Sequence, residues 1–186
     1  MKKVLTVLIL VSTVASFVCA AKPKHDREFI LKLGFQPHSL YEDHNTNLGI
    51  SGGFECFQYL NNVFALGGGA TYDLPRKFKD KDMSGKTSFL PLFVAAKICT
   101  PRFGLDNNYA FLSPKVGVSV PMFEDMGKIS STNAGLYYGI GLGVSMNVLV
   151  IEAVYAANNL TYKDKDAKTT DAKCSTITLY AGFKFE

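Results

Sequence analysis

The chain has 186 residues, 47% of them hydrophobic, with 20 Lys and Arg against 16 Asp and Glu. That length suits one domain, and the near balance of charge leaves no electrostatic footprint for nucleic acid, so none is expected as a partner. Met1 to Ala20 stands apart. Lys2 and Lys3 give it a basic start, Val4 to Val18 carries no charge, and Val18, Cys19 and Ala20 offer cleavage positions before Ala21. This reads as a secretory signal peptide over residues 1–20, followed by one domain over 21–186. The run is too short to cross a bilayer well as a helix, and no later apolar run approaches that length. Beyond it remain Cys56, Cys99 and Cys174. An odd number closes no disulfide framework and the spacing fits no metal motif, so free thiols are expected, with no metal or cofactor.

From residue 28 onward the sequence alternates with period two between turn-rich pieces, which predicts strands. In chain order they are Glu28 to Gln36, Asn47 to Gln58, Val63 to Tyr72, Thr87 to Ile98, Tyr109 to Val120, Thr132 to Met146, Val148 to Ala157, and Cys174 to Glu186. The second and sixth are followed by short turns, at Tyr59 to Asn62 and around Asn147. Cys99 to Asn108 is an intermediate connection. The pieces at 37–46, 73–86, 121–131 and 158–173 are polar and mostly longer. Eight strands with short turns at one end and long loops at the other predict an all-β fold: a closed, antiparallel, up-and-down transmembrane barrel, with both termini at the short-turn end.

The two faces differ in chemistry. One carries Phe29, Leu31, Leu33 and Phe35, then Leu48, Ile50 and Phe54, and continues so through Ile177, Leu179, Ala181, Phe183 and Phe185, without a charge. A charge at mid-membrane depth there would cost about 2–4 kcal/mol. The other face carries Lys32, Glu55, Lys97, Lys115, Glu152 and Lys184, about one charge in most strands, and most of the chain's 16 glycines. A soluble barrel would show a densely charged outer face. Sparse charge with many glycines instead suits a narrow lumen in which small residues make room for a few large ones. Those six residues are expected inside, paired with one another. Lys32, Lys115 and Glu152 stand at similar mid-strand heights and are candidates for one network that fixes register. Aromatics on the apolar face fall near strand ends, Phe29, Phe54, Phe64, Phe183 and Phe185 toward one rim and Phe35, Tyr72, Tyr138 and Tyr155 toward the other, as two interfacial girdles would. Pro91 and Pro114 each remove a ladder donor within a strand, so a bulge or local irregularity is expected at each.

These segments, SFLPLFVAAK at 88–97, YAFLSPKVGVSV at 109–120, YYGIGLGVSMNVLVIEAVYA at 137–156 and the closing TLYAGFKF, resemble the small eight-stranded OmpA/OmpX-like outer-membrane barrels, of the porin-type β-barrel superfamily. The resemblance covers nearly all of residues 21–186. It implies a monomer in the cell outer membrane of a Gram-negative bacterium, in contact with outer-membrane lipid and lipopolysaccharide. It also implies that the closing strand, with Tyr180, Gly182, Phe183 and Phe185, is read by the outer-membrane assembly machinery. The chain departs from such strands in ending on Glu186 rather than on the aromatic.

The expected function is a non-enzymatic structural or surface-interaction role with a side-chain-filled lumen. A narrow small-solute channel, lined by the lumen charges, is the alternative. Two further classes rank lower. A lipid A-modifying enzyme would need serine, histidine and acid to converge, and 37–46 offers only His38, Ser39, Glu42, Asp43 and His44 in one loop. A lipocalin-like carrier would usually show an early Gly-x-Trp, and the chain has no Trp. Two basic loops, one with Arg76, Lys77, Lys79, Lys81 and Lys86 and one with Lys163, Lys165, Lys168 and Lys173, are expected to be solvated or to meet anionic lipopolysaccharide.

Overall fold

The structure is a computed structural model and describes residues 27–41, 44–45, 48–77, 86–103, 108–124, 129–164 and 169–185. The signal peptide expected over 1–20 lies outside these residues. The elements are β1 (Arg27–Tyr41), β2 (His44–Asn45), β3 (Gly49–Tyr59), β4 (Phe64–Lys77), β5 (Lys86–Cys99), β6 (Tyr109–Glu124), β7 (Ile129–Met146), β8 (Leu149–Asp164) and β9 (Thr169–Phe185). The eight long strands pair antiparallel in chain order, and β1 pairs with β9 to close the ring, while the two-residue β2 folds back on Leu40 and Tyr41 of β1. The expected up-and-down barrel is therefore the observed one.

The register fixes the barrel's shape. Paired residues run once around the wall from Cys99 of β5 through Phe111, Gly143, Glu152, Tyr180, Gly34, Ser51 and Asp73 to Phe89, back on β5 and ten residues displaced. With strands rising ~3.3 Å per residue and lying ~4.8 Å apart, that stagger tilts them about 40°. Among the described residues, two tight turns of the wall lie at the end where the chain enters and leaves it. In one, Asn61 Oδ1 accepts hydrogen bonds from the backbone of Val63 (2.9 Å) and Phe64 (2.8 Å), an Asx turn. In the other, Asn147 takes φ 52° between Met146 and Leu149, a conformation that asparagine tolerates better than most residues.

Burial inverts the pattern of a soluble protein. Leu33 is 72% exposed on the outer wall, Leu142 65% and Phe183 59%, whereas Lys97 is fully buried inside. An exposed apolar belt around a closed ladder is what lipid requires, because the strands leave no backbone group at an open edge.

The strands outlast their expected limits at the far end. Residues 37–41, 73–77, 121–124, 129–131, 158–164 and 169–173 were expected in loops and are strand. There the outer face is no longer consistently apolar, so alternation fades from the sequence, yet the strands continue to pair with their neighbours. This upper wall is uneven. β3 stops pairing with β1 at Gln36–Gly49 and with β4 at Ser51–Asp73, while β1 and β4 run on to Tyr41 and Lys77. Register shifts fall between Phe35 and His38, Asp73 and Arg76, Ile129 and Ser131, and Asn133 and Leu136, all in this half. The irregularity expected at Pro91 and Pro114 occurs as an interruption of pairing and not as a bulge. Register is kept past both, and pairing is only interrupted: Thr71 and Tyr72 are skipped opposite Pro91, and Ala96 and Lys97 opposite Pro114. A proline lacks one donor, and that gap is absorbed without inserting a residue.

Closure predicts a specific cross-link. In a background lacking Cys56, Cys99 and Cys174, the pair Leu33→Cys and Ala181→Cys, directly opposed across β1 and β9, should oxidise readily, since opposed Cβ atoms lie about 4.5–5.5 Å apart. Leu33→Cys with Ala153→Cys should not. The measurement is non-reducing gel mobility after peptide mapping, and equal yields for both pairs would contradict the closure.

Candidate functional site

The inward positions of eight strands converge on a space just wide enough for side chains. Among the described residues its charges form three tiers. In the middle tier Lys32 from β1, Glu55 from β3, Lys115 from β6 and Glu152 from β8 alternate in sign around a ring. Lys32 pairs with Glu55 and lies 2.9 Å from Glu152, and Lys115 lies 2.6 Å from Glu55 and 2.8 Å from Glu152. Glu55 Oε1 accepts from both ammonium groups. The Lys115–Glu152 contact is charge to charge rather than a well-directed hydrogen bond, because Glu152 Oε1 receives no aligned donor. All four side chains are buried. Aromatic rings flank the cations: Lys32 Nζ is 4.3 Å from the Tyr180 ring centre and Lys115 Nζ 5.4 Å from that of Phe93.

Glycines make this ring fit. A Cβ on Gly141 would stand 2.1 Å from Glu152 Oε1, and one on Gly34 would stand 2.5 Å from the Tyr180 ring.

The lower tier lies nearer the chain ends. Glu28 of β1 pairs with Lys97 of β5, and its other oxygen accepts from Tyr59 Oη (2.9 Å) and Tyr109 Oη (2.5 Å), which are themselves 2.8 Å apart. Lys97 Nζ sits 4.1 Å from the Phe57 ring and 4.7 Å from the Phe111 ring. Lys184 is half-buried at this base, 5.6 Å from the Tyr109 ring.

The upper tier holds Gln36, Asp73 and Arg76, all buried. Gln36 Nε2 donates to Asp73 Oδ1 at 2.7 Å, and Arg76 Nη2 stands 3.8 Å from Asp73 Oδ2. Strict alternation cannot put residues 73 and 76 on one face. The register shift between them does, as a bulge re-aims the side chain that follows it.

The six expected lumen charges thus separate. Lys32, Glu55, Lys115 and Glu152 come together, Lys97 belongs to the lower tier with Glu28, and Lys184 stands beside that tier. In the closing strand, Tyr180 and Gly182 face inward, Gly182 directly opposite Lys32, while Phe183 and Phe185 are exposed outside. Arg76 corrects the reading of a solvated basic loop: it belongs to β4 and lies inside. Of that loop's other residues, Lys86 is half-buried, Lys77 is in β4, and Lys79 and Lys81 lie outside the described residues. In the second basic loop Lys173 is exposed, 5.9 Å from the Tyr138 ring. Lys163 is in β8, and Lys165 and Lys168 lie outside the described residues. The serine–histidine–acid set does not sit in one loop. Ser39 is buried in the wall with Oγ 3.8 Å from Cys174 Sγ, His38 and His44 are in β1 and β2, and Glu42 and Asp43 lie outside the described residues. Sequence reading passed over Glu28, Tyr59, Tyr109, Gln36 and Asp73. Glu28 and Gln36 share the parity of Lys32, which was signal enough to include them.

The ring predicts an asymmetry between breaking it and replacing it. Glu55→Gln leaves two buried ammonium groups short of an anion and should cost about 3–5 kcal/mol. Replacing all four charges by apolar residues of similar volume should be neutral, or stabilising by about 1–4 kcal/mol. Urea unfolding in lipid vesicles measures both, and a single substitution that costs nothing would show the pairing to be energetically idle.

No protein-family model matches the sequence, and no curated protein matches it closely. Solved structures do share its fold. Neisserial surface protein A superposes with a TM-score of 0.58 at 12% identity, over 86% of this chain and 97% of its own. The outer-membrane protein OprG from Pseudomonas aeruginosa gives 0.56 at 11% identity, over 88% and 97%. Ail, the attachment invasion locus protein of Yersinia pestis, gives 0.52 at 19% identity, over 86% and 99%, in its complex with the heparin analogue sucrose octasulfate. The chain therefore has the fold of the small eight-stranded outer-membrane β-barrels.

Proposed function

We propose that the protein is a non-enzymatic integral outer-membrane barrel whose role is structural or lies at its outer surface, with a lumen sealed by its own side chains. The observation that carries this reading is the middle tier: four charges from four strands meet across the lumen, each no more than 4% exposed. An ion following the axis would have to separate pairs held at 2.6–2.9 Å, and breaking a buried pair costs several kcal/mol. The exposed apolar belt supports insertion in lipid. The interaction surface would then be the polar upper wall and its connections, where exposed Lys173 beside Tyr138 suits an anionic partner such as lipopolysaccharide.

Two measurements test this. The protein should fractionate with the outer membrane and show heat-dependent gel mobility. Purified and reconstituted in a planar bilayer, it should give no discrete conductance steps, whereas reproducible unitary steps would favour a narrow channel.

A further inference from the structure

Each of the four middle-tier charges, and Glu28 with Lys97 below, has an opposite charge in close contact, whereas Arg76 in the upper tier does not. Arg76 is 4% exposed, yet its Nε, Nη1 and Nη2 all lack a hydrogen-bond partner. Asp73 balances its charge without satisfying it: one carboxylate oxygen is taken by Gln36, and the other stands 3.8 Å from Nη2, beyond hydrogen-bond reach. A guanidinium carries five N–H donors in a planar fork that matches the oxygens of a carboxylate or phosphate, and leaving them unmet in a buried place is costly. Gly49 begins β3 beside the arginine, where a Cβ would stand 2.7 Å from Nη1. Above it β1 pairs with the short β2 at Leu40 and Tyr41, while beyond Asp73 the edge of β4 that faced β3 has no pairing among the described residues.

We propose that Arg76 is the anchor of an oxyanion-binding site at the outer mouth of the lumen, taking the carboxylate or phosphate group of a small ligand that enters beside the start of β3. Gln36 and Asp73 hold the floor of the site. The carboxylate of Asp73 orients the guanidinium and, being an anion itself, limits the affinity. The site depends on the closed barrel and not on the surface role proposed above.

The test is a titration of the folded protein in lipid nanodiscs, with 15N-labelled arginine, using inorganic phosphate in one arm and acetate in the other. The Arg76 Nε–H resonance should shift saturably with at least one anion, and the stronger arm identifies a phosphate- or carboxylate-bearing ligand. Arg76→Gln should weaken binding about tenfold or more, the value of a charge-assisted hydrogen bond, and its heat-dependent gel mobility reports that it still folds. Asp73→Asn should tighten binding. The proposal is overturned if neither anion gives a saturable shift in the wild-type protein. It is equally overturned if Asp73→Asn abolishes the shift, which would make Arg76 and Asp73 a closed structural pair.

Discussion

The pairing of β1 with β9 is the constraint on which the structure depends. In a lipid environment no water stands ready to satisfy a free edge, so a sheet must close or fail. Closure with a ten-residue stagger sets the tilt, the tilt sets the diameter, and the diameter leaves room only for side chains. The charged lumen follows from that narrowness. Lys32, Glu55, Lys115 and Glu152 are separated by up to 120 residues in sequence, yet their inward-pointing ends meet in one ring.

The three tiers are built differently. The middle one is a ring of alternating sign, with every member pairing two neighbours. The lower one adds tyrosine hydroxyls to a single carboxylate and places its lysine between aromatic rings. Both join several strands through paired charges, and buried networks of this kind add rigidity to the wall that carries them. The upper tier stands at the last pairs that β3 makes, Gln36 with Gly49 and Asp73 with Ser51, where the register shifts begin, and its arginine has charge balance without hydrogen bonds. Unmet buried polarity is not confined to the upper half, since Glu152 Oε1, Ser113 Oγ and Ser145 Oγ also lack a partner, but Arg76 leaves all three of its nitrogens unmet.

Much of this was legible from one strand at a time. Parity put Phe183 and Phe185 outside and Tyr180 and Gly182 inside, and the structure has them so. Parity likewise put Lys32 and Glu152 on the inner face. It failed where its premise failed. Above the apolar belt the sequence ANNLTYKD at 157–164 loses clean alternation, so β8 is expected to end at Ala157 although it runs to Asp164. A bulge between Asp73 and Arg76 breaks the count by one, so a buried arginine read as a loop cation. At the prolines the expected irregularity is a gap in the ladder and not a bulge, since a missing donor inserts no residue.

By itself the sequence determined which faces meet lipid and lumen and the eight-strand order, because those follow from period-two alternation and from the spacing of turns. Only the tertiary structure decided which charges meet. Partnership across a lumen depends on the stagger accumulated around the whole ring, and no single strand carries that quantity. The same holds for Arg76, whose position is set by a register shift in one strand pair and by the early end of a third strand beside it.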